Sequence, residues 1–276
     1  MRNLRIACIQ MRSSTKPEEN VETFSKLVNS AASDGARYVQ SPEMTGFVEQ
    51  SREKLFDIVK PADEDILVAA AKSLAKTHQI WLHVGSTAIL RSDGKVANRA
   101  YVIKPDGEIA STYDKIHMFD VDLDNGESWR ESSVYEPGND AVISRIDGIN
   151  TGLAICYDMR FPQLFRDYAM GGAEILTSPA AFTRQTGEAH WHALLRARAI
   201  ENGAFMVAAA QGGLHEDGRE TYGHSLIVNP WGEIVGEIDH NEPGFMVIDI
   251  DLDEVVAARK KIPNLVNGRT YQICGD

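Results

Sequence analysis

The chain has 276 residues, 43% of them hydrophobic and 25% charged, enough apolar material for one large soluble α/β domain spanning residues 1–276. Lys and Arg number 28 against 40 Asp and Glu, and the net charge of −12 excludes the basic excess that nucleic-acid or anionic-membrane binding requires. No run approaches the roughly 20 apolar residues of a membrane span, and the N-terminus is already a strand pattern with no leader-like apolar region. Cys8, Cys156 and Cys274 are odd in number, far apart and without CxxC spacing, which argues against a disulfide framework and a zinc site and predicts a cytoplasmic protein with reduced thiols.

In chain order, an apolar run from Leu4 to Gln10 leads to a helical stretch from Pro17 to Ser33 and then to "DGARYVQSPEM", Asp34 to Met44. A second helical segment, Asp63 to His78, precedes the strand "IWLHVGS", and "RAYVIKPDGEIAS" from Arg99 reads as a hairpin around a Pro-x-Gly-Glu turn. The second half repeats this order. "TGLAIC" leads to a helical stretch from Phe161 to Met170, then to "GGAEILTSPAA", Gly171 to Ala181. A helix from Glu188 to Asn202, apolar at 191, 194, 195, 199 and 200, precedes "AFMVAAAQ", and "HSLIVNPWGEIVG" from His224 is the matching hairpin. The chain therefore reads as two copies of one βαβαββ unit. Helices cover one face of each sheet, so the open faces pack on each other and the expected architecture is a four-layer αββα sandwich.

Function in α/β folds collects at the carboxyl ends of strands. Glu43 follows Ser41-Pro42 at one such end, Cys156 closes another, and Lys115 in "STYDKIHMF" follows the first hairpin. Singly each is commonplace, since a cysteine ending an apolar strand is usually a small core residue. Together their chemistry is complementary: a thiol to attack a carboxamide carbon, a carboxylate to take the thiol proton and return it to the departing amine, an ammonium to face the oxyanion. The turn into Phe161-Pro162 predicts the thiol at a helix N-terminus. Lys115 lowers the thiol pKa while Glu43 and burial raise it, and the group is expected to titrate as a coupled set.

"SPEMTGF", "YDKIHMFD", "RESSVYEPG" and "AICYDMRFP", continuing through "PAAFTRQTGEAHWHALLRARAIENGAFMVAAAQ" and "YGHSLIVNPWGE", resemble the nitrilase (carbon-nitrogen hydrolase) superfamily in order and spacing over nearly the whole chain. The resemblance implies the αββα fold and a cofactor-free, metal-free amidase in which Glu43 is general base, Lys115 stabilises the oxyanion and Cys156 is the nucleophile. It further implies that Glu131 positions the substrate or the deacylating water and that the Tyr157 backbone N–H completes the oxyanion hole. Arg160, Phe182 and Thr186 become candidates for substrate binding, although Arg160 is equally placed in sequence to pair with Asp158 or Asp167. Glu188 stands where many relatives have proline.

The segments "CYDMRFP" and "TGEAHW" are similar to those of the Nit-type amidases, which implies hydrolysis of a small carboxylate-bearing amide through a Cys thioester with release of ammonia, deaminated glutathione being the first choice of substrate. The ω-amides of 2-oxo acids, N-carbamoyl compounds and a catalytically silent interaction module are the alternatives. A Cys-His-Glu triad using His240 and Glu242 is disfavoured because Ile155 and Tyr157, not glycines, flank the cysteine, and no G-x-S-x-G or HExxH occurs. The resemblance also implies a homo-oligomer with the tail "RKKIPNLVNGRTYQ" crossing to a partner.

Overall fold

The computed structural model describes residues 2–122, 126 and 128–275. Strand β1 (Asn3–Gln10) is apolar on both sides because both are covered: Leu4, Ile6 and Cys8 enter one buried cluster, Ala7 and Ile9 another. Helix α1 (Pro17–Ser33) starts on a proline whose missing N–H has no intrahelical partner to lose, with Glu18 and Glu19 at the positive end of the dipole. Phe24, Val28 and Ala31 turn one face of α1 inward. Strand β2 (Tyr38–Gln40) and the short helix α2 (Arg52–Ile58) follow. Helix α3 (Ile66–His78) opens on Asp65, whose carboxylate accepts the Val68 N–H at 2.9 Å. Strands β3 (Trp81–Leu90), β4 (Val96–Ile103) and β5 (Ile109–Asp114) complete the first unit, with Gly107 at φ +86° in the β4–β5 turn.

A small hairpin of β6 (Asp120–Asp122) and β7 (Ser128–Arg130) separates the units. The second contains β8 (Val142–Ile146), β9 (Ile149–Leu153), α4 (Pro162–Met170), β10 (Ile175–Thr177), α5 (Arg184–Asn202) and β11 (Phe205–Ala208). Another inserted hairpin, β12 (Gly212–Leu214) and β13 (Glu220–Tyr222), precedes β14 (Leu226–Val228) and β15 (Ile234–Glu237). Strand β16 (Gly244–Asp251) and helix α6 (Asp253–Lys261) end the ordered elements.

The two sheets run β16-β1-β2-β3-β4-β5 and β15-β14-β11-β10-β9-β8. In each, three central strands are parallel (β1, β2, β3 and β9, β10, β11) and antiparallel strands flank them. The expected βαβαββ unit is thus present twice; each copy is extended by the second strand of its hairpin, β5 or β15, and each sheet has a sixth strand from outside that run. Strand β8 lies antiparallel to β9, and β16 does the same for β1, with Asn3 opposite Asp251 and Gln10 opposite Gly244. The end of the second half thereby closes the first sheet. Helix α5 begins four residues before the expected Glu188, and of its five apolar positions Ile200 faces solvent while Trp191, Leu195 and Ala199 are buried.

Helices α1 and α3 cover the outer face of the first sheet through Phe24, Val28, Leu67 and Ala71. Leu4, Ile6, Tyr38 and Val102 of that sheet share a continuous core with Leu153, Leu176 and Val207 of the other, into which α4 and α5 send Phe165 and Trp191. Polar groups that bridge the two sheets include the Ala209 N–H, which donates to Gln40 Oε1 at 2.9 Å, and the Ser111 hydroxyl, which donates to Ser144 at 3.0 Å. The layering is αββα.

Candidate active site

The two Ser-Pro segments follow β2 and β10 and approach each other across Gly85 of β3. A Cβ at that position would stand 2.4 Å from Pro179 Cβ and 2.6 Å from the Pro42 carbonyl, so only glycine lets the halves meet there. Glu43 extends from the first segment, and its Oε2 accepts the Ala181 N–H of the second at 2.8 Å. Lys115 directly follows β5; its backbone N–H donates to the Asn98 carbonyl at 3.0 Å, which aims the side chain inward. Its Nζ donates to Glu43 Oε1 at 2.9 Å and to Glu131 Oε1 and Oε2 at 3.0 and 2.8 Å. Asn98 Nδ2 bridges the same two carboxylates, at 2.9 Å to Glu43 and 3.1 Å to Glu131. Glu131, at the head of a 3-10 turn (Glu131–Ser133), is held further by the Phe119 N–H at 2.7 Å.

Cys156 begins a second 3-10 turn (Cys156–Arg160) with φ +47°, the left-handed region that a residue with a Cβ occupies at a cost of about 1–3 kcal/mol. The strain is outweighed locally. Its N–H donates to the Pro179 carbonyl at 2.9 Å, and the fully buried Asp158 carboxylate accepts from the Ile155 N–H at 2.9 Å, the Tyr113 hydroxyl at 2.7 Å, the His117 N–H at 3.0 Å and His117 Nδ1–H at 2.7 Å. Hydrogen bonds to a charged group contribute about 1.5–3 kcal/mol each. Tyr113 and His117 flank Lys115 by two residues on either side, so Asp158 ties the segment carrying the cation to the turn carrying the thiol.

The thiol thus lies at the head of a short 3-10 turn, six residues before α4, and not at the N-terminus of α4 as the proline suggested. The positive φ sits on the cysteine itself, between Ile155 and Tyr157. Tyr157 is the second residue of the turn, where backbone N–H groups have no partner within it.

Glu43, Lys115 and Cys156 are each less than a tenth exposed. Burial opposes the Glu43 charge, but the Lys115 ammonium and hydrogen bonds from Lys115, the Cys156 thiol and the Ala181 N–H outweigh it and hold the carboxyl below its ordinary range. Burial likewise opposes the Lys115 charge, yet Glu131, Glu43 and Cys156 drive it well above an ordinary lysine. For Cys156, burial and the Glu43 carboxylate push the thiol up and the Lys115 cation is too weak to reverse them. The contest left open by the sequence is decided for the neutral thiol, hydrogen-bonded to an ionised glutamate beside an ionised lysine.

These groups open into a cavity of about 280 Å³ whose walls include Phe119, Trp129, Tyr157, Phe182 and Thr186. Phe182 and Thr186 thus line the same cavity as Cys156, with the Thr186 and Thr183 hydroxyls 2.8 Å apart. Arg160 stays behind the wall: its guanidinium lies 5.3 Å from the Phe182 ring and 5.9 Å from the Tyr157 ring and reaches His190 Nδ1 at 3.3 Å. Asp158, its proposed ion-pair partner, is occupied by Tyr113 and His117 instead. The exposed Glu188 pairs with Arg184 at 3.0 Å. Sequence reasoning missed Asn98 and Asp158. An asparagine inside the apolar strand β4 is the signal that could have found the first, since strands disfavour it without a partner; nothing marks Asp158 without coordinates.

Comparison with known proteins bears on this constellation. The carbon-nitrogen hydrolase family model matches residues 5–260. The chain is 36% identical over 265 residues to a Synechocystis protein named deaminated glutathione amidase, covering 94% of this chain and 96% of that one. Among solved structures it resembles the C. elegans NitFhit protein at TM-score 0.90 and 33% identity, covering 97% of this chain but 65% of that longer one. It also resembles an amidase from Nesterenkonia sp. AN1, solved with acrylamide added at its active-site cysteine, at TM-score 0.76 and 25% identity, covering 94% of this chain and 98% of that one. With the fold, the buried thiol, carboxylate and ammonium, and a family match from the first strand to the last helix, the chain belongs to the carbon-nitrogen hydrolase family.

Proposed function

We propose that this carbon-nitrogen hydrolase cleaves the amide of a small 2-oxo carboxylate substrate, deaminated glutathione first among them. The observation that carries the reading is the Lys115 ammonium 2.9 Å from a Glu43 carboxylate that already accepts the Cys156 thiol, all on the wall of one cavity. Cys156 Sγ attacks the amide carbon as Glu43 takes the thiol proton, and the oxyanion is met by the Lys115 ammonium and the Tyr157 N–H. Collapse of the tetrahedral adduct breaks the C–N bond, Glu43 returns the proton to the departing nitrogen, and a thioester remains. Water then attacks the thioester, Glu43 again taking a proton, and the released sulfur is reprotonated. Glu131 acts on Lys115 and on the water or substrate beside it. Phe182 and Thr186 line the acyl pocket, with Arg160 behind them attracting the acyl carboxylate.

One part of the expectation changes with the substrate. Deaminated glutathione carries a secondary amide to cysteinylglycine, so its leaving group is an amine, and ammonia is released only from primary amides such as 2-oxoglutaramate. In this reading the 276 residues act as one catalytic unit in the cytoplasm, where the three free thiols stay reduced. The apolar tail residues Val266, Tyr271 and Ile273 are exposed, which supports association into a homo-oligomer.

Comparing kcat/KM for deaminated glutathione, 2-oxoglutaramate and an N-carbamoyl amino acid separates the substrate classes, because they share the hydrolytic groups and differ in the pocket. Deaminated glutathione is expected to lead. A preference for the carbamoyl compound overturns the assignment.

A further inference from the structure

Among the described residues three cations line the cavity: Lys115, Arg130 and Arg219. Two are committed. Lys115 is held by Glu43 and Glu131, and Arg130 donates to both Asp122 oxygens at 2.8 Å and to the Val121 and Trp129 carbonyls at 3.0 and 2.7 Å. Arg219 differs. It extends from the inserted β12–β13 hairpin, its guanidinium lies 4.8 Å from the Trp129 ring centroid, and its buried Nε has no hydrogen-bond partner among the described residues. The carboxylate it pairs with, Asp217, stands 3.8 Å away, beyond hydrogen-bond range, and spends its other oxygen on the Arg219 backbone N–H at 3.0 Å. A guanidinium lying over an indole on the cavity wall, with its Nε unpaired among the described residues, suits a ligand carboxylate that can take the fork bidentately.

Its place in the cavity says which carboxylate. Arg219 contacts Trp129, Trp129 lies 6.4 Å from Phe119, and Phe119 lies 5.1 Å from Tyr157, the neighbour of Cys156. Arg219 is thus linked to the neighbour of the nucleophile through Trp129 and Phe119, whereas Arg160, assigned above to the acyl carboxylate, lies against Phe182 and Tyr157, which leaves Arg219 for a carboxylate on the other side of the scissile bond. An extended dipeptide reaches about 7 Å beyond the scissile nitrogen. We propose that Arg219 binds the terminal carboxylate on the amine half of the substrate, and that the β12–β13 hairpin thereby selects amides with a peptide-sized, anionic leaving group over primary amides. The assignment rests on the amidase reading above.

The test is a cycle between protein and substrate: wild type and Arg219→Ala, each with deaminated glutathione and with its analogue whose terminal carboxylate is a carboxamide, and 2-oxoglutaramate as the short reference. Wild type is expected to lose about 10- to 100-fold in kcat/KM, mainly through KM, when the carboxylate is amidated. Arg219→Ala is expected to lose a similar factor on the free acid and little more on the amidated analogue, so the ratio of long to short substrate falls by that factor. Independent, multiplicative losses from the two changes overturn the assignment. If Arg219→Ala does not fold, wild type decides alone, and equal kcat/KM for acid and carboxamide overturns it. Turnover of 2-oxoglutaramate without turnover of either long compound overturns the assignment while leaving amide hydrolysis standing; turnover of none removes both.

Discussion

Glu43 meets two opposed demands. To act as a base it must be ionised, and burial works against that; Lys115, Asn98 and the Ala181 N–H provide the compensation. The same arrangement makes it a weaker base toward a thiol that burial has pushed up, so proton transfer in the resting site runs uphill and proceeds only as the C–S bond forms and Lys115 finds an oxyanion. A pH dependence follows with a definite sign. The folded state keeps the Cys156 proton where an unfolded cysteine loses it, near pH 8.5, so its linkage destabilises the fold as pH rises above that value. Glu43, depressed in the folded state, adds stability above the unfolded glutamate pKa of about 4.3 that is lost as pH falls through its folded value. The ultraviolet thiolate absorbance of the native protein minus that of Cys156→Ser is expected to show no titration step between about pH 7 and about 9. A full thiolate step in that window contradicts the neutral resting thiol. The residues themselves were legible as a complementary set; their charge balance was not, because it depends on the ångström-scale proximity of Asn98, Ala181 and Glu131, which are scattered along the chain.

At the scale of elements, the helices and hairpins of the repeat were readable, several from local punctuation: Pro17 and Pro162 at first helical turns, Asp65 as a cap, Gly107 and Gly232 at positive φ in matching turns, whereas α2, α6 and the inserted hairpins β6–β7 and β12–β13 were not read. Strands β8 and β16 were not, since their place is fixed by long-range pairing with β9 and β1 and not by any periodicity of their own. Helix α5 connects stability to the pocket. Trp191 is fully buried, packs 5.2 Å from the Phe182 ring and donates from Nε1 to the His224 carbonyl at 2.8 Å. Trp191→Ala is expected to cost about 3–5 kcal/mol of unfolding free energy, read from the urea midpoint, and to raise KM as Phe182 loses its support. A cost below about 1 kcal/mol would mean that the cavity collapses and that α5 does not brace the pocket wall.

Over the whole molecule, duplication explains both the fold and the site. Neither half holds the full chemistry: Glu43, Asn98 and Lys115 come from the first unit, Cys156 and the Ala181 N–H from the second, and Gly85 lets the two Ser-Pro loops meet. The repeat in the sequence made the sandwich predictable, and the strand-end rule pointed to the edge of each sheet at which Glu43 and Cys156 come together. What it did not supply was the wall of the cavity, which the inserted β6–β7 and β12–β13 hairpins build outside the repeat. The central claim is that the joined halves form a covalent acyl-enzyme on one sulfur. Acid-quenched protein taken during turnover of deaminated glutathione, digested and weighed by mass spectrometry, is expected to carry a 2-oxoglutaryl group on the peptide containing Cys156. Steady turnover with that peptide unmodified and the acyl group on another residue would contradict it.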